Sequence, residues 1–127
     1  MAIVTTHPTN LDGIARDSDH STWESPLLVV GDSYEPSGFI HPSKHWEAGV
    51  IFCNSSGVQV AATGGTVAVS VMPWATLFYE PPTQGASITA TAPVLSSWQC
   101  RMHGVRFVPT GIATATHYKV RLAVAQS

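Results

Sequence analysis

The sequence predicts an all-β protein of one domain, an antiparallel β-sandwich or jelly-roll-like barrel of about seven or eight short strands with an extended N-terminal arm. Three observations predict this fold. Apolar residues alternate with polar ones in short segments separated by turn residues, no segment has the 3.6-residue period of a helix, and only 11% of the 127 residues are charged. A chain of this length buries one ordinary core.

Residues 1–25 are predicted to form the arm, and residues 26–127 the β-sandwich domain. The arm begins with a short extended patch over residues 2–6 and continues as a polar, aspartate-rich run without strand or helix period. Fully extended, a segment of this length reaches roughly 80 Å, which is enough to cross a neighbouring subunit. Trp23 near its end favours an anchored arm over a disordered tail.

The domain is predicted to begin with a compact apolar strand over residues 26–30, which ends at Gly31. Residues 33–48 carry turn signals and are predicted to be rich in loops. Later strands are expected at regular intervals, over residues 50–53, 58–61, 66–71, 74–79 and 87–92. The turns between them include residues 54–57 and 63–65.

The last part of the chain, residues 98–125, is predicted to form a two-stranded β-ribbon with one apolar and one cationic face. Apolar and polar side chains alternate strictly over residues 117–124. In the preceding strand the apolar positions change phase at Gly104, where a β-bulge would return both halves to the same face. The opposite face of the ribbon then carries four basic residues, Arg101, Arg106, Lys119 and Arg121.

Charge is distributed unevenly along the chain. Residues 1–48 carry seven acids against two bases, and residues 49–127 carry one acid, Glu80, against four bases. The acidic N-terminal part and the basic ribbon are complementary, so they are expected to dock within one chain or between copies. The net charge of −2 disfavours nucleic acid as a partner. The weakly charged middle of the chain is expected to meet other protein.

No secretory signal and no membrane-spanning apolar run is predicted, so we expect synthesis in a cytosol and no membrane partner. Cys53 and Cys100 lie in apolar strand patterns and are expected to be buried free thiols. No metal or cofactor is predicted. His41 and His45 lie four residues apart, but Pro42 disfavours the helix that would place both imidazoles on one face.

One short motif suggests an enzyme. Residues 27–33, with the sequence LLVVGDS, resemble the first block of the SGNH (GDSL-type) hydrolases, in which Ser33 would be the nucleophile. That family takes its base from an Asp-x-x-His pair, and neither His103 nor His117 has an acid three residues upstream. A serine without a base is unreactive at neutral pH. No catalytic residue is therefore predicted, and the protein is not expected to be an enzyme.

The whole chain is similar to the small, cysteine-poor, all-β accessory proteins of tailed bacteriophage virions. The likeness lies in the extended arm, the Thr/Val/Ala-rich strands over residues 66–71 and 87–92, and the terminal ribbon. It implies a capsid decoration (cement) protein, commonly a homotrimer, that binds the major capsid protein or another virion protein after assembly and catalyses nothing. It also implies location in the virion, after synthesis in the bacterial cytoplasm.

The residues expected to contact a partner come from the arm and the ribbon. They are Ile3, Val4, Asp12, Asp17, Asp19, Trp23, Arg101, Arg106, Lys119 and Arg121. The alternative is a receptor- or glycan-binding module of a tail fibre or spike, which would use exposed aromatic rings. The candidate rings are Trp74, Phe78, Tyr79 and Trp98. Exposure of these rings would separate the two hypotheses.

Overall fold

A computed structural model of the chain describes residues 2–11, 20–36, 46–72, 87–89, 96–98 and 104–125. Across these residues the protein is all-β, with eleven strands in two sheets that do not close into a barrel. The predicted β-sandwich is confirmed. The described ranges contain no helix long and apolar enough to cross a membrane.

The strands lie in two sheets, which we call sheet A and sheet B. In chain order the strands are β1 (Ile3–Val4), β2 (Thr9–Asn10), β3 (His20–Glu24), β4 (Leu28–Val29), β5 (Ser33–Tyr34), β6 (Trp46–Cys53), β7 (Thr66–Met72), β8 (Ser87–Thr89), β9 (Ser96–Trp98), β10 (Gly104–Thr110) and β11 (His117–Ala125). Sheet A has the order β1-β5-β10-β7-β8, and sheet B has the order β2-β3-β11-β6-β9, with β4 also pairing with β11. Among the strand pairs of the described residues, only β1–β5 is parallel.

The core lies between the two sheets. Every second side chain of the long central strands is buried, as the period of two predicts. In β7 these side chains are the three valines predicted to face inward, and in β11 they are Tyr118, Val120, Leu122 and Val124. The buried side chains of both sheets form one hydrophobic cluster, so the sheets pack face to face. Burial of each such aliphatic side chain contributes about 1.5–3 kcal/mol.

The predicted two-stranded ribbon is wrong. β10 pairs with β7 over seven residues, and β11 pairs with β6 over eight, so the two strands belong to different sheets. Residues 111–116 carry the chain across from sheet A to sheet B. The physical reason is that each strand has one apolar face, and two such faces bury each other when they oppose across a core. The predicted bulge at Gly104 involves residues 99–103, which lie outside the described residues.

Three short strands within the predicted arm belong to the sheets. β1 is the edge of sheet A, while β2 and β3 lie in sheet B, where β3 pairs with β11 over five residues. An extended arm is therefore not confirmed, since these residues pair with strands of their own chain. The Trp23 side chain in β3 packs against the core. The His7 ring lies edge-on to the Trp23 ring, with 5.5 Å between the ring centroids.

The segment over residues 33–48 is less loop-rich than predicted. Its first two residues form β5, and its last three, from Trp46, begin β6. The turn at residues 54–57 is confirmed, because the Asn54 carboxamide accepts hydrogen bonds from the Ser56 and Val58 N–H groups at 2.9 and 3.1 Å. The strand expected after this turn is reduced to one bridge between Cys53 and Gln59. The strand ends predicted from short apolar runs therefore differ in places from those in the structure.

Gly65 lies close to the backbone of Thr110 and Gly111. The predicted turn over residues 63–65 is present, and its first residue, Thr63, forms an isolated β-bridge with Ala113. Gly65 has a φ of +77°, and a Cβ there would lie 2.5 Å from the carbonyl oxygen of Thr110. Only glycine has both the backbone freedom and the space that this position requires.

Candidate interaction face

The outer face of sheet B is the surface that we consider for function. In β11 the even-numbered side chains are buried, so the odd-numbered ones point away from the core. The strand register places outward residues of β3 and β6 beside them. We call this surface the B face, and it consists of Thr22, Glu24, Glu47, Gly49, Ile51, Lys119, Arg121 and Ala123.

An ion-pair cluster lies on the B face. Glu24 is opposite Arg121 in the register of β3 and β11, and the Arg121 Nε donates to a Glu24 carboxylate oxygen at 2.7 Å. The Lys119 Nζ lies 3.6 Å from the other oxygen of the same carboxylate. Two cations of the predicted basic strand are thus neutralised by one acid of the N-terminal part. Docking of the acidic part with the basic strand takes place here within one chain.

The outer face of sheet A, which we call the A face, carries the third described cation. Arg106 donates to one Glu35 carboxylate oxygen from Nε and Nη2, at 3.1 and 3.0 Å. Because β10 and β11 lie in opposite sheets, Arg106 is on the opposite surface from Lys119 and Arg121. The single cationic face predicted for these residues is therefore wrong. Each cation of the described residues has a carboxylate partner instead.

A shallow groove of about 390 Å³ lies beside the ion-pair cluster on the B face. Thr22, Ile51 and Arg121 line it together with Gly49 and Ala123. Gly49 is opposite Arg121 in the register of β6 and β11, and the missing side chain leaves a depression next to the guanidinium group. The groove is open, its lining includes three small residues, and the cation that lines it is already paired with Glu24.

The Cys53 thiol at the end of β6 lies in an environment that makes it unreactive. Burial raises the pKa of the Cys53 thiol, an effect that the nearby Lys119 opposes and Glu24 adds to. The cysteine is free and 1% exposed, so it agrees with the predicted buried thiol and is a poor nucleophile. Cys100 lies outside the described residues.

Ser33, the serine of the hydrolase-like motif, is part of β5. It is 4% exposed, and its backbone N–H donates to the Ala2 carbonyl oxygen at 3.0 Å. The motif's glycine and aspartate form the turn between β4 and β5. In the ranges that the structure describes, no three His, Cys, Asp or Glu side chains group as metal ligands do.

The structure brings together only part of the predicted partner-binding set. Lys119 and Arg121 are neighbours on the B face, Ile3 and Val4 form the edge strand β1, and Trp23 faces the core. Four members lie outside the described residues, namely Asp12, Asp17, Asp19 and Arg101. Of the proposed aromatic platform, Trp98 lies in β9 opposite Trp46, and the other members lie outside the described residues. They are Trp74, Phe78 and Tyr79.

Sequence reasoning missed Glu24, Glu35 and Gly49. The two glutamates are cross-strand partners of cations far along the chain, and only the strand register shows this. Gly49 did carry a signal, because an isolated glycine within an apolar strand marks a place where another group approaches closely. The sequence predicted a strand that begins only after Gly49, at residue 50.

The two sheets, the single core between them and the paired outer charges define an all-β sandwich protein with a candidate interaction face. The chain belongs to the family described as a domain of unknown function, DUF7265, whose model matches residues 37–127. This match includes β6 to β11, whereas β1 to β5 precede it. No curated protein and no solved structure matches the chain.

Proposed function

We propose that the protein is a capsid decoration (cement) subunit that binds an assembled viral shell through the B face and stabilises it. The observation that carries this proposal is the pairing of Lys119 and Arg121 with Glu24 beside a groove in which Arg121 is the only charged one of the described lining residues. A shallow surface whose described cations are already paired suits contact with another folded protein. It does not suit nucleic acid, which needs unpaired cations.

The proposed partner is the major capsid protein or another virion protein. A shell repeats the same surface many times, so contacts that are weak in one copy become strong when copies are linked. We therefore favour a homo-oligomer, with a trimer as the first expectation, whose subunits use sheet contacts and exchange of N-terminal segments. In this role the protein needs no cofactor and catalyses no reaction.

The first test is the composition of particles from a culture that makes the protein. Virions are purified by sedimentation, and their proteins are quantified by mass spectrometry. We expect the protein to be present in a fixed ratio to the major shell protein, as a lattice-bound subunit requires. Absence from purified particles, with the protein left in the soluble fraction, would contradict the proposal.

The second test locates the contact with a pair of matched variants. Ala123→Arg adds a long cation beside the groove on the B face, and Ala68→Arg adds the same side chain to the A face. Recombinant protein is added back to particles stripped of it. We expect Ala123→Arg to reduce rebinding by roughly tenfold or more, the effect of a charge placed in a contact region. Equal rebinding by the two variants would rule out the B face.

A further inference from the structure

The edge of sheet A holds a strand through a small, well-defined set of contacts. Residues 2–6 lie along residues 32–35, and the backbone N–H groups of Ser33 and Glu35 donate to the carbonyl oxygens of Ala2 and Val4 at 3.0 and 2.9 Å. The Tyr34 hydroxyl donates to the Thr6 carbonyl oxygen at 2.7 Å. We call residues 32–35 the acceptor edge, since they receive this strand.

Most of these contacts do not depend on side chains of the inserted strand. Four hydrogen bonds join backbone groups of residues 2–6 to the acceptor edge, including one from the Ala2 N–H to an Asp32 carboxylate oxygen at 2.9 Å. Of the two β1 side chains, Val4 packs against the core, whereas Ile3 points outward and is 58% exposed. Recognition therefore requires an extended segment with one apolar anchor at Val4.

The acceptor edge needs an occupant. Without β1, the N–H groups of Ser33 and Glu35 and the hydroxyl of the buried Tyr34 would lose their acceptors, and the Val4 position of the core would open. Buried polar groups left without partners are costly. The same contacts form equally well whichever copy of the chain supplies the strand, and this is the condition for exchange of an identical element between protomers.

The connection after β1 is short and stiff. Only Thr5, Thr6, His7 and Pro8 separate β1 in sheet A from β2 in sheet B. These four residues must span the gap between two packed sheets, which is about 10 Å. A short connection of this kind favours exchange between copies of the chain. A connection that runs to a neighbouring copy does not have to turn sharply from one sheet to the other within its own copy. The connection also limits the reach, so exchanging copies must lie side by side.

We propose that β1 exchanges between copies of this chain, so that residues 2–6 of one protomer occupy the acceptor edge of the next. The proposal deepens the suggested role as a shell-binding oligomer and rests on it for its biological purpose. It identifies the part of the N-terminal region that is exchanged and the strand that receives it. The partner is a second copy, and β2 and β3 stay in their own protomer.

The test uses two full-length variants that are mixed before oxidation. Ile3 and Ser33 are direct neighbours in the β1–β5 register, so one population carries Ile3→Cys and the other Ser33→Cys. We expect a disulfide-linked dimer in the mixture, detected on a non-reducing gel. The matched control mixes Thr9→Cys with Glu24→Cys, which are neighbours in the β2–β3 register. Because these strands do not exchange, the linked dimer should be at least tenfold less abundant.

A second measurement does not depend on disulfide geometry. Light scattering coupled to size exclusion gives the mass of the full chain, of Val4→Asp and of Ile3→Asp over a range of concentrations. We expect Val4→Asp to weaken association about tenfold or more, since it removes the apolar anchor that packs against the core, a change of about 1.4 kcal/mol. Ile3→Asp should associate like the original chain, because its side chain is exposed in the strand.

Three results would overturn the exchange. The first is a mixture that yields no more linked dimer than the control, although a single chain carrying both Ile3→Cys and Ser33→Cys forms the disulfide within itself. The second is an original chain that remains a monomer at every concentration. The third is a Val4→Asp variant that associates as strongly as the original. These measurements use purified protein alone. Shell binding can therefore survive their failure, and the exchange can survive a failure of shell binding.

Discussion

Sheet A and sheet B each place basic residues of a central strand on the outside and pair them with a glutamate from the first 36 residues of the chain. In sheet A, Arg106 contacts Glu35, and in sheet B, Lys119 and Arg121 share Glu24. The cations lie within the DUF7265 match and their carboxylates precede it. The segment before residue 37 thus supplies the carboxylates that pair with cations on both outer faces of the region that follows it.

Each sheet also has a buried tyrosine whose hydroxyl donates a hydrogen bond to a segment that crosses between the sheets. Tyr34 of sheet A donates to the Thr6 carbonyl oxygen, and Tyr118 of sheet B donates to the Asp32 carbonyl oxygen. Thr6 lies between β1 and β2, and Asp32 lies between β4 and β5. The sheets differ at their surfaces, because the B face has the groove while sheet A has the parallel edge strand β1. The proposed contact surface and the proposed exchangeable edge therefore lie in different sheets.

The largest expected difference between the sheets concerns glycines at their turns. Gly65 precedes β7 of sheet A, and Gly57 follows β6 of sheet B; both have positive φ angles. A Cβ at Gly65 would overlap backbone atoms of Thr110 and Gly111, whereas a Cβ at Gly57 would meet nothing within 4 Å. We expect Gly65→Ala to lower the free energy of unfolding by roughly 3 kcal/mol and Gly57→Ala by about 1 kcal/mol. Urea denaturation measures both, and equal losses would show that the close approach at Gly65 is not required.

The next prediction concerns the two tyrosines and pH. Burial raises the pKa of the Tyr34 and Tyr118 hydroxyls above the ordinary value, and for Tyr118 the negative charge of Asp32 and the neighbouring Tyr34 contribute further. The folded state therefore holds these protons more tightly than the unfolded state. Their contribution to stability is fully present below about pH 10 and is lost as pH rises beyond it, by at most about 1.4 kcal/mol per pH unit for each group.

Tyr34→Phe and Tyr118→Phe test this dependence. Each is expected to lower the free energy of unfolding by about 1 kcal/mol at neutral pH, the value of one hydrogen bond. Each should also make the fall in stability between about pH 9 and about pH 11 less steep. Denaturation series over that range provide the measurement. The original chain and both variants share any contribution from Cys53, so a fall that is identical in all three would contradict the assignment to the tyrosines.

The smallest effects are expected from the outer ion pairs. Glu24→Gln deprives two cations of their carboxylate, and Glu35→Gln deprives one. Because these groups are partly exposed, we expect losses of about 1 kcal/mol for Glu24→Gln and about 0.5 kcal/mol for Glu35→Gln. Both losses should shrink at roughly 1 M salt, where surface charges are screened. A loss at Glu35 larger than that at Glu24, or one that salt leaves unchanged, would show that these contacts are not simple ion pairs.

The sequence predicted the parts of the fold that depend on neighbouring residues. The alternation over residues 66–71 and 117–124 identified the inward side chains of β7 and β11, and Asn54 identified a turn through its own carboxamide. β2 and β5 were not predicted, because two residues are too few to show a period. Of the candidate site, Lys119 and Arg121 were predicted and their partner Glu24 was not, since an outward glutamate in a five-residue strand has no local signal.

The sequence by itself determined the fold class and the side of β7 and β11 that faces the core, because the alternation of side chains is a property of the extended backbone. Only the tertiary structure decided which strands are neighbours. The apolar faces of β10 and β11 can be buried side by side in one sheet or opposite each other across a core, and both arrangements satisfy the same pattern. The second one places Arg106 on one surface and Lys119 and Arg121 on the other. This choice depends on all the strands that compete for pairing, so it is made over the whole chain and not within either strand.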